Sequence, residues 1–185
     1  MTTNAEFLAT YSPKECAVAF RDVRTAEDAL AVAKSGKVAT LMGLQRMLGE
    51  TKITALMKMY LIELNEVLGL KQPMTEVQID QVAEEIIARY RYFTMADINL
   101  VFRRIKCGEC GKLYDRLTMP QLMSIFADYD NERAEIAARQ SVAESEYWKG
   151  DHRRSSDQAR EVYQRARKME FERIYKPGKA KKKKQ

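Results

Sequence analysis

Residues 53–70 read ITALMKMYLIELNEVLGL, and the apolar positions Ile53, Leu56, Met57, Tyr60, Leu61, Leu64, Val67 and Leu68 recur at steps of three and four. With about 3.6 residues per turn, those steps place all eight on one side of a helix, and no two-residue period fits them. A helix with one apolar side must cover it with other elements, so this stretch predicts a buried helix in a helical assembly. Gly69 supplies its stop, because a residue without Cβ takes the left-handed cap conformation at no steric cost.

The same logic extends in both directions. TEVQ at Thr75 is a capping box: the hydroxyl accepts from the amide three residues on, and Gln78 reaches back. Val77, Val82, Ile86 and Tyr90 are expected as the inner stripe of the helix it opens, with Ile79 and Ala83 at the margin. TMAD repeats the signal at Thr94 and Asp97, and Ile98, Val101, Phe102 and Ile105 then share a face. TMPQ repeats it at Thr118, with Pro120 tolerated in the first turn; Leu122, Ile125, Phe126 and Tyr129 line that helix, which can run past Ile136 toward Tyr147. Upstream, SPKE at Ser12 and TAED at Thr25 open two shorter helices, Gly36 ends the second, and residues 38–48 predict another.

A last helix is expected over residues 156–175. Ala159, Val162, Tyr163, Ala166 and Met169 make a thin apolar stripe on a heavily charged rod, and Pro177 and Gly178 end it. No segment alternates with a two-residue period between hairpin turns. The fold class is therefore all-α: a multi-helix bundle with a protruding basic C-terminal helix and a disordered lysine-rich tail. The expected organisation is an N-terminal extension (1–11), a helical core domain (12–147), a basic helical region (148–176) and the tail (177–185).

With 185 residues, 45% hydrophobic and 31% charged, the chain suits one domain with appendages. No apolar run reaches the roughly 18 to 20 residues that span a bilayer, so no membrane partner is expected. The opening MTTNAEFLATYSPKE lacks a basic segment followed by an apolar one, which predicts a cytoplasmic protein. Three cysteines without an export signal predict reduced thiols rather than a disulfide framework.

IKCGECGK, residues 105–112, holds the half of a zinc site formed by Cys107 and Cys110. A structural zinc site needs a second pair of soft ligands. Only Cys16, 91 residues before Cys107, and His152, 42 residues after Cys110, could supply them, and neither is paired. The preferred reading is a turn between two helices, with Gly108 as left-handed cap and Gly111 permitting a second bend. A zinc-stabilised module stands as a third functional reading, behind two others given below; no metal or other cofactor is assigned. One histidine leaves no imidazole pair, and SGKVAT at Gly36 and Lys37 lacks both the upstream glycine and the hydroxyl residue of a phosphate loop. The acidic series Asp128, Asp130, Glu132 and Glu135 is irregularly spaced and reads as a solvated face. These features predict a non-enzymatic protein.

The charge is unevenly divided. Residues 1–147 hold 18 Lys and Arg against 21 Asp and Glu, net −3; residues 148–185 hold 14 against 5, net +9. That asymmetry points to a polyanion-contacting appendage on a near-neutral body. In YWKGDHRR, Trp148 beside Lys149, Arg153 and Arg154 offers a stacking face among cations, as single-stranded nucleic acid requires. Arg160, Arg167 and Lys168 fall within about a third of the helical circumference, and Lys179, Lys181, Lys182, Lys183 and Lys184 can exchange counterions with phosphates without reading sequence. These twelve residues are the candidate contacts, with single-stranded DNA the favoured partner. The alternative occupant of the rod is a partner helix or a second copy of the chain, giving a homo-oligomer of the kind a phage structural or assembly protein uses.

Three motifs then stand in order. Tyr90, Thr94, Asp97 and Ile98 give Y-x-x-x-T-x-x-D-I; Lys106, Gly108, Gly111, Lys112, Leu113, Tyr114 and Asp115 give K-x-G-x-x-G-K-L-Y-D; Tyr129 and Arg133 give Y-x-x-x-R. This stretch resembles a segment of small helical proteins of phages and mobile elements, reminiscent of helicase-loader and replication-accessory proteins. The resemblance implies a helical adaptor without its own ATPase motif, acting by holding a replicative helicase or a single strand. Cys107 and Cys110 depart from the pattern, which needs no cysteine between its glycines.

Overall fold

A computed structural model describes the backbone of residues 4–111 and 116–175, and the side chains of residues 6–111, 116–147 and 157–170. Among the described residues the chain is all-α, with two isolated bridges, Thr40 to Thr94 and Gln72 to Arg116, and no strand. The helices are α1 (Asn4–Tyr11), α2 (Pro13–Ala19), α3 (Ala26–Lys34), α4 (Leu41–Leu48), α5 (Glu50–Leu68), α6 (Glu76–Arg89), α7 (Met95–Lys106) and α8 (Met119–Tyr175). None of them is long and apolar enough to cross a membrane. The chain divides into two compact units, Met1–Ala137 and Ala138–Gln185, and α8 contributes residues to both.

Helix starts follow the capping chemistry. Thr25, Thr75 and Thr94 each accept from the amide three residues on, while Asp28, Gln78 and Asp97 return a bond to the cap amide. Thr118 and Gln121 exchange the same pair of bonds at the start of α8. Each cap satisfies amides that the first turn leaves without a partner. Gly69, at φ 56° and ψ 37°, ends α5 in the left-handed conformation.

Within the first unit, α5 buries Ile53, Leu56, Met57, Tyr60, Leu61 and Leu64 and packs on α4, α6 and α7. α7 is the central helix: every residue from Met95 to Phe102 is buried. An amphipathic helix was expected there, with one apolar face. Ala96, Asn99 and Leu100 lie off that face and are buried too, because α2, α3 and α5 cover the helix along with the first turns of α8. Phe93, Phe102, Phe126, Tyr90 and Tyr129 form an aromatic cluster between α7, its preceding loop and α8, with ring centroids 4.9 to 6.5 Å apart. Offset and edge-to-face rings at this spacing add to their area burial.

Several expectations need correction. Residues 1–11, expected as an extension, contain α1, whose Phe7 is 5% exposed and belongs to the core. The stripe of α6 is Ile79, Val82, Ala83, Ile86 and Ile87, with Tyr90 just beyond; Val77 is 66% exposed. Val77 and Ile79 are two positions apart, and two helical steps of about 100° turn a side chain to the opposite face. No helix begins at Ser156: α8 is continuous through Gly150, an interior glycine costing about 1 kcal/mol without removing a backbone bond.

Candidate functional site

The candidate nucleic-acid contacts fall into three sets. Arg160, Arg167 and Lys168 are exposed on α8, and among the described residues none of them forms an ion pair. Trp148, Lys149, Arg153 and Arg154 belong to the helical backbone of α8, but their side chains lie outside the described residues. The tail lysines Lys179, Lys181, Lys182, Lys183 and Lys184 lie outside them entirely. Every described side chain from Asp157 to Glu170 is exposed, so Arg160, Arg167 and Lys168 are open to solvent and to a ligand.

The glycine-rich turn after α7 is built by its backbone. Gly108 sits at φ 77°, its amide donates to the Ile105 carbonyl at 3.0 Å, and the Glu109 amide donates to the Arg104 carbonyl at 2.9 Å. That pair of bonds is the Schellman closure, which uses carbonyls the last helical turn leaves open. Gly111 follows at φ 93°. Among the described residues, chain neighbours aside, no atom approaches within 4 Å of where a Cβ would stand at either glycine, so the requirement there is the backbone angle. Residues 112–115, the end of this motif, lie outside the described residues.

Cys107 is exposed and Cys110 half-buried, and both are free. Cys16 is buried in the core, where its thiol donates to the Tyr11 carbonyl at 3.5 Å. Among the described residues no group of three or more His, Cys, Asp or Glu is placed to hold a metal. Beside the turn lies a cleft of about 250 Å³ lined by Val101, Arg104, Cys110, Ile125, Asp128 and Glu132, among others. Three of its charged groups, Arg104, Glu109 and Glu132, are already engaged with one another. Arg104 makes a bidentate pairing with Glu132 at 2.5 and 3.1 Å, reaches Glu109 at 3.8 Å and lies over the Tyr129 ring. Burial raises the Cys110 thiol above its ordinary range, opposite to the shift that activates a nucleophile.

A polar centre that the sequence did not announce lies at the heart of the first unit. Asp97 is fully buried, and its carboxylate accepts four hydrogen bonds. Oδ2 receives the Thr94 amide at 2.7 Å and the Thr94 hydroxyl at 2.8 Å; Oδ1 receives the Tyr129 hydroxyl at 2.7 Å and Arg133 Nε at 3.0 Å. Arg133 in turn spreads over the rings of Tyr92 and Phe93. A buried carboxylate tolerates desolvation when its lone pairs are taken and a cation compensates its charge, and both conditions hold here. Tyr92 donates to Asp130 at 2.6 Å and ties the same loop to α8, while at the other end of α7 Lys106 donates to Glu63 of α5 at 2.6 Å. Asp130 and Glu132, expected on a solvated face, are therefore tertiary partners. Only Thr94 with Asp97 was foreseeable, as a cap; the spacing of Tyr129 and Arg133, one turn apart, placed them on one face without naming what they meet.

Several residues of the three motifs converge, residues 112–115 lying outside the described residues. Thr94, Asp97, Tyr129 and Arg133 meet at one carboxylate, Tyr90 stacks on Phe93 beside them, and Gly108 closes the helix they anchor. No protein-family model, curated protein or solved structure matches this chain.

Proposed function

We propose that the chain is a helical, non-enzymatic adaptor that holds single-stranded nucleic acid through its second unit, in the manner of a replication-accessory protein. The observation that carries this reading is the charge division: net −3 over residues 1–147 against net +9 over residues 148–185. Arg160, Arg167 and Lys168 support it, since they stand exposed and free of carboxylate partners among the described residues. Phosphate binding by such cations releases condensed counterions, so affinity falls as salt rises. A replicative helicase is the protein partner that the resemblance of residues 74–133 suggests, with the bundle as the surface that would hold it.

The test is a titration of a fluorescent single-stranded oligonucleotide at two salt concentrations, with duplex DNA and RNA as competitors. The full chain binds with a steep salt slope. Truncation after Tyr147 abolishes binding, and the triple variant Arg160→Ala, Arg167→Ala, Lys168→Ala lowers the slope by about 2, at roughly 0.7 for each phosphate that is no longer neutralised. Equal affinity and slope for all three proteins would overturn the reading.

A further inference from the structure

We propose that residues 159–169 of α8 form the seam of a parallel two-stranded coiled coil between two copies of this chain. Val162 and Met169 are 68% and 65% exposed, and with Ala159 and Ala166 they recur at steps of three and four along one helical face. In heptad terms Ala159 and Ala166 occupy a, and Val162 and Met169 occupy d, the apolar seam of a two-stranded coil. Small residues at a allow the helix axes to approach while the larger ones at d fill the interface.

The occupant is identified by charge. In this register Arg165 falls at g and Glu170 at the e position of the next heptad. A parallel pair brings g of one helix against that e of its partner, so Arg165 of each copy meets Glu170 of the other, twice by symmetry. Both side chains are exposed, and among the described residues neither forms an ion pair within its own chain. An antiparallel pair brings g against g and sets arginine on arginine. The chain is therefore complementary to itself in one orientation.

Arg160 and Arg167 take b and Lys168 takes c, so all three point away from the seam. Pairing doubles the basic stripe instead of hiding it. The seam itself stands on apolar spacing and charge register and does not rest on the nucleic-acid reading.

The experiment is sedimentation equilibrium of the full chain across the micromolar range, without nucleic acid. The expected result is a reversible monomer–dimer equilibrium that the double variant V162N/M169N abolishes while the melting of the first unit is unchanged. R165E alone and E170R alone each dimerise about tenfold more weakly, because two attractive pairs become repulsive. An equimolar mixture of R165E and E170R restores association, since each then faces its opposite. A full chain that stays monomeric, a V162N/M169N protein that dimerises like the parent, or a mixture no tighter than its components would each overturn the proposal. Failure here leaves the salt-dependent titration untouched, so the two readings fall separately.

Discussion

The two units treat charge in opposite ways. In Met1–Ala137 a carboxylate is taken fully out of water and all four of its acceptor positions are filled, by a hydroxyl, an amide, a phenol and a guanidinium. In Ala138–Gln185, Arg160, Arg167 and Lys168 stand in solvent without a partner among the described residues. The same residue types therefore do unlike things. Inside, an ion pair fixes which helices lie together; outside, an unpaired arginine contributes nothing to the fold and is free to meet a phosphate. The difference teaches that charge count alone assigns neither stability nor binding, and that burial decides between them.

The contrast breaks most severely at Asp97. Asp97→Ala leaves the partly buried Arg133 without its counter-charge and three further donors unpaired, a loss of about 3–5 kcal/mol in denaturant unfolding. Asp97→Asn keeps the shape but offers one carbonyl oxygen, so the Arg133 charge is uncompensated and most of that loss persists. A smaller effect is expected at the turn. Gly108→Ala forces a side chain into φ 77° and costs about 1–2 kcal/mol, whereas Cys107→Ala and Cys110→Ala each cost less than about 1 kcal/mol in the same assay.

Alkaline titration sharpens the comparison. Burial, and then the neighbouring Asp97 carboxylate, hold the Tyr129 phenol above its ordinary range. A folded pKa above the unfolded value means that the stabilisation is complete below about pH 10 and is lost as pH rises further, where only the unfolded chain ionises. Tyr129→Phe should flatten that decline in a stability-against-pH series, at the cost of one hydrogen bond to Asp97. The smallest effect on stability is expected in the second unit. Arg160→Ala, Arg167→Ala and Lys168→Ala together leave thermal unfolding unchanged while reducing the salt dependence of oligonucleotide binding. A fall in melting temperature for this triple variant would show that these cations carry structural roles after all.

Much of the fold is legible in the sequence because it is written locally. Thr25, Thr75, Thr94 and Thr118 announce helix starts three residues ahead, and Gly69 and Gly108 announce ends, since caps are made by neighbours in the chain. Periodicity fixes where a side chain points, but whether anything waits there is a tertiary matter. Val67 continues the stripe of α5 and is exposed, while Asn99 lies off the stripe of α7 and is buried. Phe7 escapes a local reading because eight residues of α1 carry too little pattern to separate a helix from an extension. The candidate contacts on α8 are legible as composition. The Asp97 centre is not, since 36 residues separate the carboxylate from Arg133 and no local rule links them.

That separation has a consequence for synthesis from the amino terminus. Thr94 supplies its two bonds as soon as α7 forms, but the phenol and the guanidinium arrive only with residues 129 and 133, well into α8. Until the ribosome has released them, the nascent polypeptide carries an acidic group that resists being drawn into oil, and α7 cannot settle as the middle helix. Completion of the bundle therefore waits on emergence of the first turns of α8, the helix that also carries the basic residues of the second unit.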